Sequence, residues 1–427
     1  MEKLSVCLIV KNEERVLDRC LACVTKFADE LIVVDTGSTD NSVEIAKQFT
    51  PYVFLHPWQY SFAEARNYSY SKATGDYIMW IDADDVISDE NIARINALKA
   101  EETTADVIFA CRRSVSETGL IDYMMRDRII RRKVYTKWLY DIHEAILIEP
   151  NWKKLYRPDI EIFHKKEYVN EPERNMDIFN RLIKAGKNLS LFEKVNLIKE
   201  LSKRNQTDQS LNLFLEIRDK LDKHIYAYAL NFLIEDLIHA KRWQESLEII
   251  QEAKSRLTPT AKLTYEEGRC FEGLGEFEQA QKLYKQATTV KDDIYDLTIH
   301  ITGYDDYYPY LRMAMIANSS GDLHKALKLL GIAGKAHPKD MLWQNMRMRI
   351  LLNVNKAKES KEKIKMAKTD KELNQIKTET ENLMKKLKEL SADELEKVVG
   401  GIEPVGGELF GELFNITAIL PTNNEEQ

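Results

Sequence analysis

Three carboxylates, Asp82, Asp84 and Asp85, close the apolar run Tyr77-Ile78-Met79-Trp80-Ile81, with Gly75 just ahead of it. The run is rich in β-formers and too short for a typical helix, so it reads as a buried strand. Its carboxyl end opens where α/β sheets place their ligands. Side chains alternate along a strand, which would point Asp82 and Asp84 to the same side. Hard oxygen donors at such an edge suit Mg²⁺ or Mn²⁺ that also holds a diphosphate. Taken alone, the same residues would equally describe an acidic turn after a strand.

The elements that must position this edge alternate through the first hundred or so residues. Leu4 to Val10, Glu30 to Val34 and Val53 to His56 read as strands, and Glu14 to Phe27, Asn41 to Phe49 and Phe62 to Ala73 as helices. That alternation implies a parallel sheet with helical crossovers. Between residues 105 and 165 come short β-like runs: Val107 to Ala110, Arg128 to Arg131, Ala145 to Ile148 and Ile160 to Phe163. They are expected to add strands that close over the site. From about residue 172 the β signal ends and helical periodicity continues almost to residue 395. Within it Gly268, Phe271, Gly275, Ala280, Tyr284 and Ala287 have the spacing of a tetratricopeptide repeat. Ser246, Ile250 and Ala253 fill matching slots one repeat earlier, and Gly321, Ala326, Leu330, Ala333 and Pro338 do so later. Generic helical hairpins are the plainer alternative.

The chain has 427 residues, 44% apolar and 31% charged, with a net charge of −7. This composition is that of a globular protein of two or three domains, and its charge does not favour nucleic acid. No apolar run is long enough to span a bilayer, and the first residues do not resemble a signal peptide. Five cysteines, an odd number, fit reduced thiols, so a bacterial cytoplasmic location is expected. Cys20 and Cys23 form a CxxC, but they share a helical face with Leu17, Leu21 and Val24 and read as core. A dimer is also expected from the long helical region.

The C-terminal end differs in kind. Lys356 to Lys388 is rich in Lys and Glu and reads as a solvated helix or a partly disordered stretch. Leu390 to Gly401 then resembles the end of a bacteriocin-type leader peptide, an amphipathic helix stopped by a double glycine. Ser391 with Glu394 has capping-box spacing, and Gly400-Gly401 would end the helix. Residues 402–427 are acidic and offer no core, as a core peptide attached to its leader would. An ordinary helix C-cap with a loose tail accounts for the same residues. Whether this end is native or an enzyme–substrate fusion stays open, with fusion favoured.

Four segments together resemble the family 2 nucleotide-sugar glycosyltransferases with a GT-A fold, over roughly residues 3–170. They are Val10 to Glu14, Val33 to Asp40, the set Trp58, Phe62, Ala63, Arg66 and Asn67, and Asp82 to Asp85. The resemblance implies a nucleotide-sugar site that includes Val10, Asn12, Glu13, Asp35, Arg66, Asn67, Asp82 and Ala83. Asp35 would take the uracil or ribose, and Arg66 would offer its fork to a phosphate or carboxylate, a surface ion pair being the alternative. Asp84 is the expected metal ligand, with Asp82 on the ribose or a metal-bound water. His164 would complete the metal shell. Trp138 to Glu144 resembles a segment with an acceptor-side His143-Glu144 pair. Glu144 is thus the candidate base, with Asp85 second. Ser38-Thr39-Asp40 also reads as a plain helix N-cap.

With the helices and the leader-like end, the chain looks similar to the sublancin-type bacteriocin S/O-glycosyltransferases. The expected fold is α/β plus all-α. Residues 1–170 would be catalytic, 171–355 would bind acceptor peptide, 356–401 would be leader-like and 402–427 core-like. The expected reaction is metal-dependent and inverting. It moves a hexose from UDP-glucose or UDP-N-acetylglucosamine to a Cys, Ser or Thr of a precursor peptide. The region after Gly401 has no cysteine, which leaves Thr417 and Thr422 as its hydroxyl acceptors. A polysaccharide or lipid-linked-sugar transferase and a non-catalytic peptide scaffold are the rival readings.

Overall fold

The structure, a computed structural model, describes residues 3–101, 103–115, 121–165, 173–291, 300–337 and 343–352. Thr417, Thr422, the leader-like stretch and the acidic end lie outside the described residues. In chain order the first elements are β1 (Leu4–Val10), α1 (Leu17–Val24), β2 (Glu30–Asp35), α2 (Ser42–Phe49), β3 (Val53–Leu55), α3 (Phe62–Ser71) and β4 (Tyr77–Trp80). Then come β5 (Asp85–Val86), α4 (Asp89–Ala100), β6 (Val107–Val115), β7 (Ile121–Arg131), β8 (Trp138–Leu139), β9 (Ala145–Ile146) and β10 (Lys154–His164).

These strands form a mixed sheet in the order β3-β2-β1-β4-β7-β6-β10-β5. The first four run parallel, as the strand–helix alternation requires. β7 joins β4 antiparallel, and β10 lies parallel to β6 and antiparallel to β5. The added strands are longer than their sequence signal, because β6, β7 and β10 carry charged residues between the apolar runs. β8 and β9 pair only with each other. Alternation sorts the core. Leu4, Val6 and Leu8 pack with Leu17 and Leu21 of α1 and with Ile92, Ile95 and Leu98 of α4. Cys7, on the opposite face, packs with Ile32, Val34, Ala63 and Tyr70. Each such aliphatic side chain contributes about 1.5–3 kcal/mol by leaving water. Cys20 is 1% exposed within this core, as its helical face predicts.

The helices follow: α5 (Arg174–Lys184), α6 (Leu191–Ser202), α7 (Thr207–Ile217), α8 (Lys223–His239), α9 (Trp243–Arg256), α10 (Ala261–Gly273) and α11 (Phe277–Ala287). They share a compact unit with the sheet, which extends to Asp305. α5 and α6 pack on loops that follow the sheet strands through Ile142, Ile178, Phe179 and Leu197. A second unit begins at Asp306 and contains α12 (Tyr308–Ser319) and α13 (Leu323–Ala336). The repeat slots are filled as their spacing implies. A Cβ added at Gly268 would sit 2.7 Å from the Tyr284 ring, so only glycine lets α10 and α11 close on that aromatic. Ala280, Ala287, Ser246, Ile250 and Ala253 are fully buried, as are Ala326, Leu330 and Ala333 in the second unit. Among the described residues no helix is long and apolar enough to cross a membrane.

Candidate active site

The acidic residues do not lie along one strand. β4 stops at Trp80, and residues 82–84 form a turn closed by Asp85 N donating to Asp82 O at 3.0 Å. Asp82 and Asp84 therefore converge through a turn, not through strand alternation, because the chain must reverse to start β5. β5 pairs antiparallel with β10, and His164 lies directly opposite Asp85. That register brings a residue 79 positions away into the turn. His164 Nδ1 lies 3.2 Å from Asp84 Oδ1 and 3.1 Å from Asp85 Oδ1. One donor atom from each of Asp82, Asp84, Asp85 and His164 falls within 4.8 Å of all the others.

The four are not equivalent. Asp84 and His164 keep 20% of their side chains exposed and Asp82 32%, whereas Asp85 has none. Asp85 faces Arg128 of β7, also fully buried, with Nη1 donating to Oδ2 at 2.9 Å. The same oxygen accepts from Asp82 N at 3.1 Å. Both Asp85 oxygens are engaged, which makes it a brace for the turn and unsuited as a base. Burial acts to lower the His164 pKa, but the Asp84 and Asp85 carboxylates outweigh it and push it up to about 9. Burial also disfavours ionised Asp82, yet Arg66, Arg128 and His164 hold it well below the usual carboxylate range. Three carboxylates and an imidazole are a donor set that fits Mg²⁺ or Mn²⁺, and Asp82, Asp84 and His164 are the ones that solvent reaches.

Arg66, on α3, is 6% exposed and its fork is already committed. Nε donates to Glu144 Oε1 at 2.7 Å and Nη2 to Asp82 Oδ1 at 2.8 Å, while the guanidinium lies 4.8 Å from the Trp80 ring and 5.1 Å from Trp138. It links the acidic turn to the β8–β9 loop. Asn67 is likewise engaged within the protein: it donates to Trp138 O at 3.0 Å and accepts from Trp138 N at 2.9 Å and Tyr135 Oη at 2.5 Å. The expected His143-Glu144 pair diverges. Glu144 turns to Arg66, while His143 Nε2 meets Glu200 Oε1 of α6 at 3.1 Å. Burial holds His143 below the ordinary imidazole value despite that contact.

The first-strand residues build the neighbouring loop. Val10 O accepts both the backbone N–H and the hydroxyl of Thr36. Asn12, at φ 57°, accepts from Thr39 N at 2.8 Å, and Glu13 N donates to Ser42 Oγ at 2.7 Å. Asp35 is 2% exposed and accepts from Gly37 N and Ser38 N, with Gly37 at φ 110° allowing the turn. Its carboxylate is thus part of the loop scaffold. Ala83 is buried. The pieces that sequence reading missed are Arg128, Trp80 and Glu200. An arginine in an alternating strand reads as solvent-facing, and only the fold shows Asp85 behind it.

Residues 5–160 match the family described as Glycosyl transferase family 2. A TPR repeat-containing protein of Synechococcus elongatus is 33% identical over 162 residues, 36% of this chain and 40% of that protein. The SPbeta prophage-derived glycosyltransferase SunS of Bacillus subtilis is 39% identical over 90 residues, 21% of each chain. The chain thus spans two fifths or less of the length of these relatives. Among solved structures, TarS 1-349 of S. aureus in complex with UDP-GlcNAc covers 70% of this chain and 96% of its own at a TM-score of 0.31 and 15% identity. Residues 5–160 thus carry the match to glycosyltransferase family 2, on the mixed sheet described above, and helices follow them in the chain.

Proposed function

We propose that this protein is a metal-dependent, inverting glycosyltransferase that moves a hexose from a UDP-sugar to a Cys, Ser or Thr side chain of a ribosomal peptide, in the manner of a bacteriocin precursor. The observation that carries the reading is the Asp82, Asp84, Asp85 and His164 cluster at the rim of a family 2 domain. A divalent cation held there would neutralise the diphosphate as it leaves. Asp84 and His164 are the proposed ligands, with the free oxygen of Asp82 on the cation or the ribose. Glu144 is the proposed base: Arg66 takes one of its oxygens, and the carboxylate stays 14% exposed. A hydroxyl acceptor needs that proton removed and a thiol needs it less.

The peptide acceptor is supported by the repeat-like helix pairs, by the similarity to the prophage-derived glycosyltransferase and the TPR repeat-containing protein, and by the leader-like residues 390–401. Helical arrays cradle peptide helices well. Incubating the full chain with Mn²⁺ and either UDP-glucose or UDP-N-acetylglucosamine tests the reading. Free UDP and a mass gain of one hexose from UDP-glucose, or of one N-acetylhexosamine from UDP-N-acetylglucosamine, on a double-glycine precursor peptide are expected. Intact donor alongside tight peptide binding would instead leave a scaffold.

A further inference from the structure

The hairpin loop between β8 and β9, residues 140–144, is held from outside at every position. Tyr140 lies against Phe192 of α6, with ring centroids 4.8 Å apart. Asp141 accepts from Phe62 N at 2.8 Å through its carbonyl, and its carboxylate meets Lys187, between α5 and α6, at 3.1 Å. Ile142 is 3% exposed in a cluster with Ile178, Phe179, Leu197 and Leu201. His143 Nε2 meets Glu200 Oε1 at 3.1 Å, and Glu144 takes Arg66. Four consecutive residues are thus anchored on α5, α6 or the segment joining them, and the fifth is the carboxylate at the site.

Two of the anchored residues hold a backbone that their side chains disfavour. Tyr140 has φ 69° and His143 φ 54°, the left-handed region that residues other than glycine seldom enter. Such conformations persist where the surroundings over-determine them. Here α6 does so, supplying Phe192 to one strained residue and Glu200 to the other. Glu200 is 2% exposed, and Asn175, Lys203 and Arg204 fix its carboxylate in turn. Burial disfavours its charge, but His143 and Lys203 outweigh that and hold it well below the usual carboxylate range. A carboxylate can only accept, so the proton in the His143 contact sits on Nε2, and burial favours the neutral ring.

We propose that Glu200, acting through His143, is a positioning residue for Glu144. It holds residues 140–143 in the strained course that delivers the next carboxylate to Arg66. This rests on the proposed role of Glu144 as base and adds what keeps that base in place. The lever is short: His143 directly precedes Glu144, so relaxing its backbone out of the left-handed region would turn Glu144 away from Arg66. Glu200 itself is closed to solvent and touches no acceptor, which separates its role from that of the base.

Steady-state kinetics with two precursor peptides, identical except for Ser or Cys at the acceptor position, test the proposal. Mn²⁺ and whichever of the two UDP-sugars the parent turns over are held at saturation. E200Q and H143L are each expected to lower kcat on the Ser peptide by about tenfold or more, with UDP affinity unchanged. The Cys peptide, which depends less on a base, should lose less than about threefold. H143Q keeps an N–H donor near the position of the ring nitrogen and should recover most of the Ser activity, whereas H143L does not. In an E144Q background neither E200Q nor H143L should slow the Ser peptide further, because there is no base left to misplace. Melting curves and UDP binding report whether each variant folds, and the H143Q and H143L pair leaves the Glu200 network intact should E200Q not fold. Equal losses on both peptides, parental activity in H143L, or a further loss added to that of E144Q would each overturn the positioning role alone. An E144Q variant that transfers to Ser like the parent would overturn the base reading, and the positioning role with it.

Discussion

Asp82 and Asp85 stand three residues apart, each against an arginine, yet the two pairs do different work. Asp85 and Arg128 are fully buried, and both Asp85 oxygens serve the protein, bracing the turn and the histidine opposite. In the other pair Asp82 is 32% exposed, while Arg66 is 7% exposed and also reaches Glu144. The first pair is closed to solvent on both sides, whereas in the second only the carboxylate is reached by water. The same two residue types thus differ in access to water, and only Asp82 of the second pair is open to a ligand under the proposed function.

The largest effect should come from the open side. Asp84→Ala is expected to lower hexose transfer by about 10³-fold or more, the scale of a lost metal contribution, with a melting temperature within a few degrees of the parent. On the closed side the pattern should invert. Arg128→Met takes the guanidinium from the buried Asp85 and leaves it only His164 and the Asp82 N–H, which costs about 3–5 kcal/mol and should lower the melting temperature by roughly 10 °C. A variant that melts like the parent would break the contrast.

Glu144→Gln should slow transfer to a hydroxyl by about 10²–10⁴-fold and leave UDP affinity unchanged, as read by steady-state kinetics and calorimetry. Losing UDP affinity in equal measure would place Glu144 on the donor side.

His164 gives the smallest effect and the most diagnostic pH dependence. Its folded-state pKa is raised to about 9 from the ordinary 6.5. The stabilisation from the charged ring is therefore complete below about pH 6.5 and lost as the pH rises through about 9. In EDTA the melting temperature should fall across that window, by an amount worth about 1–3 kcal/mol. With saturating Mn²⁺ the slope should flatten, because the cation takes the proton's place.

Much of the sheet could be read from the residues, because continuous apolar runs between helical stretches leave few other arrangements. Leu4 to Val10 and Tyr77 to Trp80 are such runs. The acidic rim was legible for the same reason, although the turn that joins Asp82 to Asp84 was not, since a strand's end leaves no mark when the next residue is also apolar. His164 entered through family resemblance and met the cluster by strand register, which no local pattern encodes. Arg128 and Glu200 were invisible because their meaning lies in partners dozens of residues away.

The account turns on the cation between Asp82, Asp84 and His164. Titrating Mn²⁺ into EDTA-treated protein with UDP present, for the parent and for Asp84→Ala, tests it most directly. One Mn²⁺ per chain, bound by the parent and at least about a hundredfold more weakly by the folded variant, is the predicted result. Equal binding by both proteins, or UDP-sugar turnover by the metal-free parent, would contradict it.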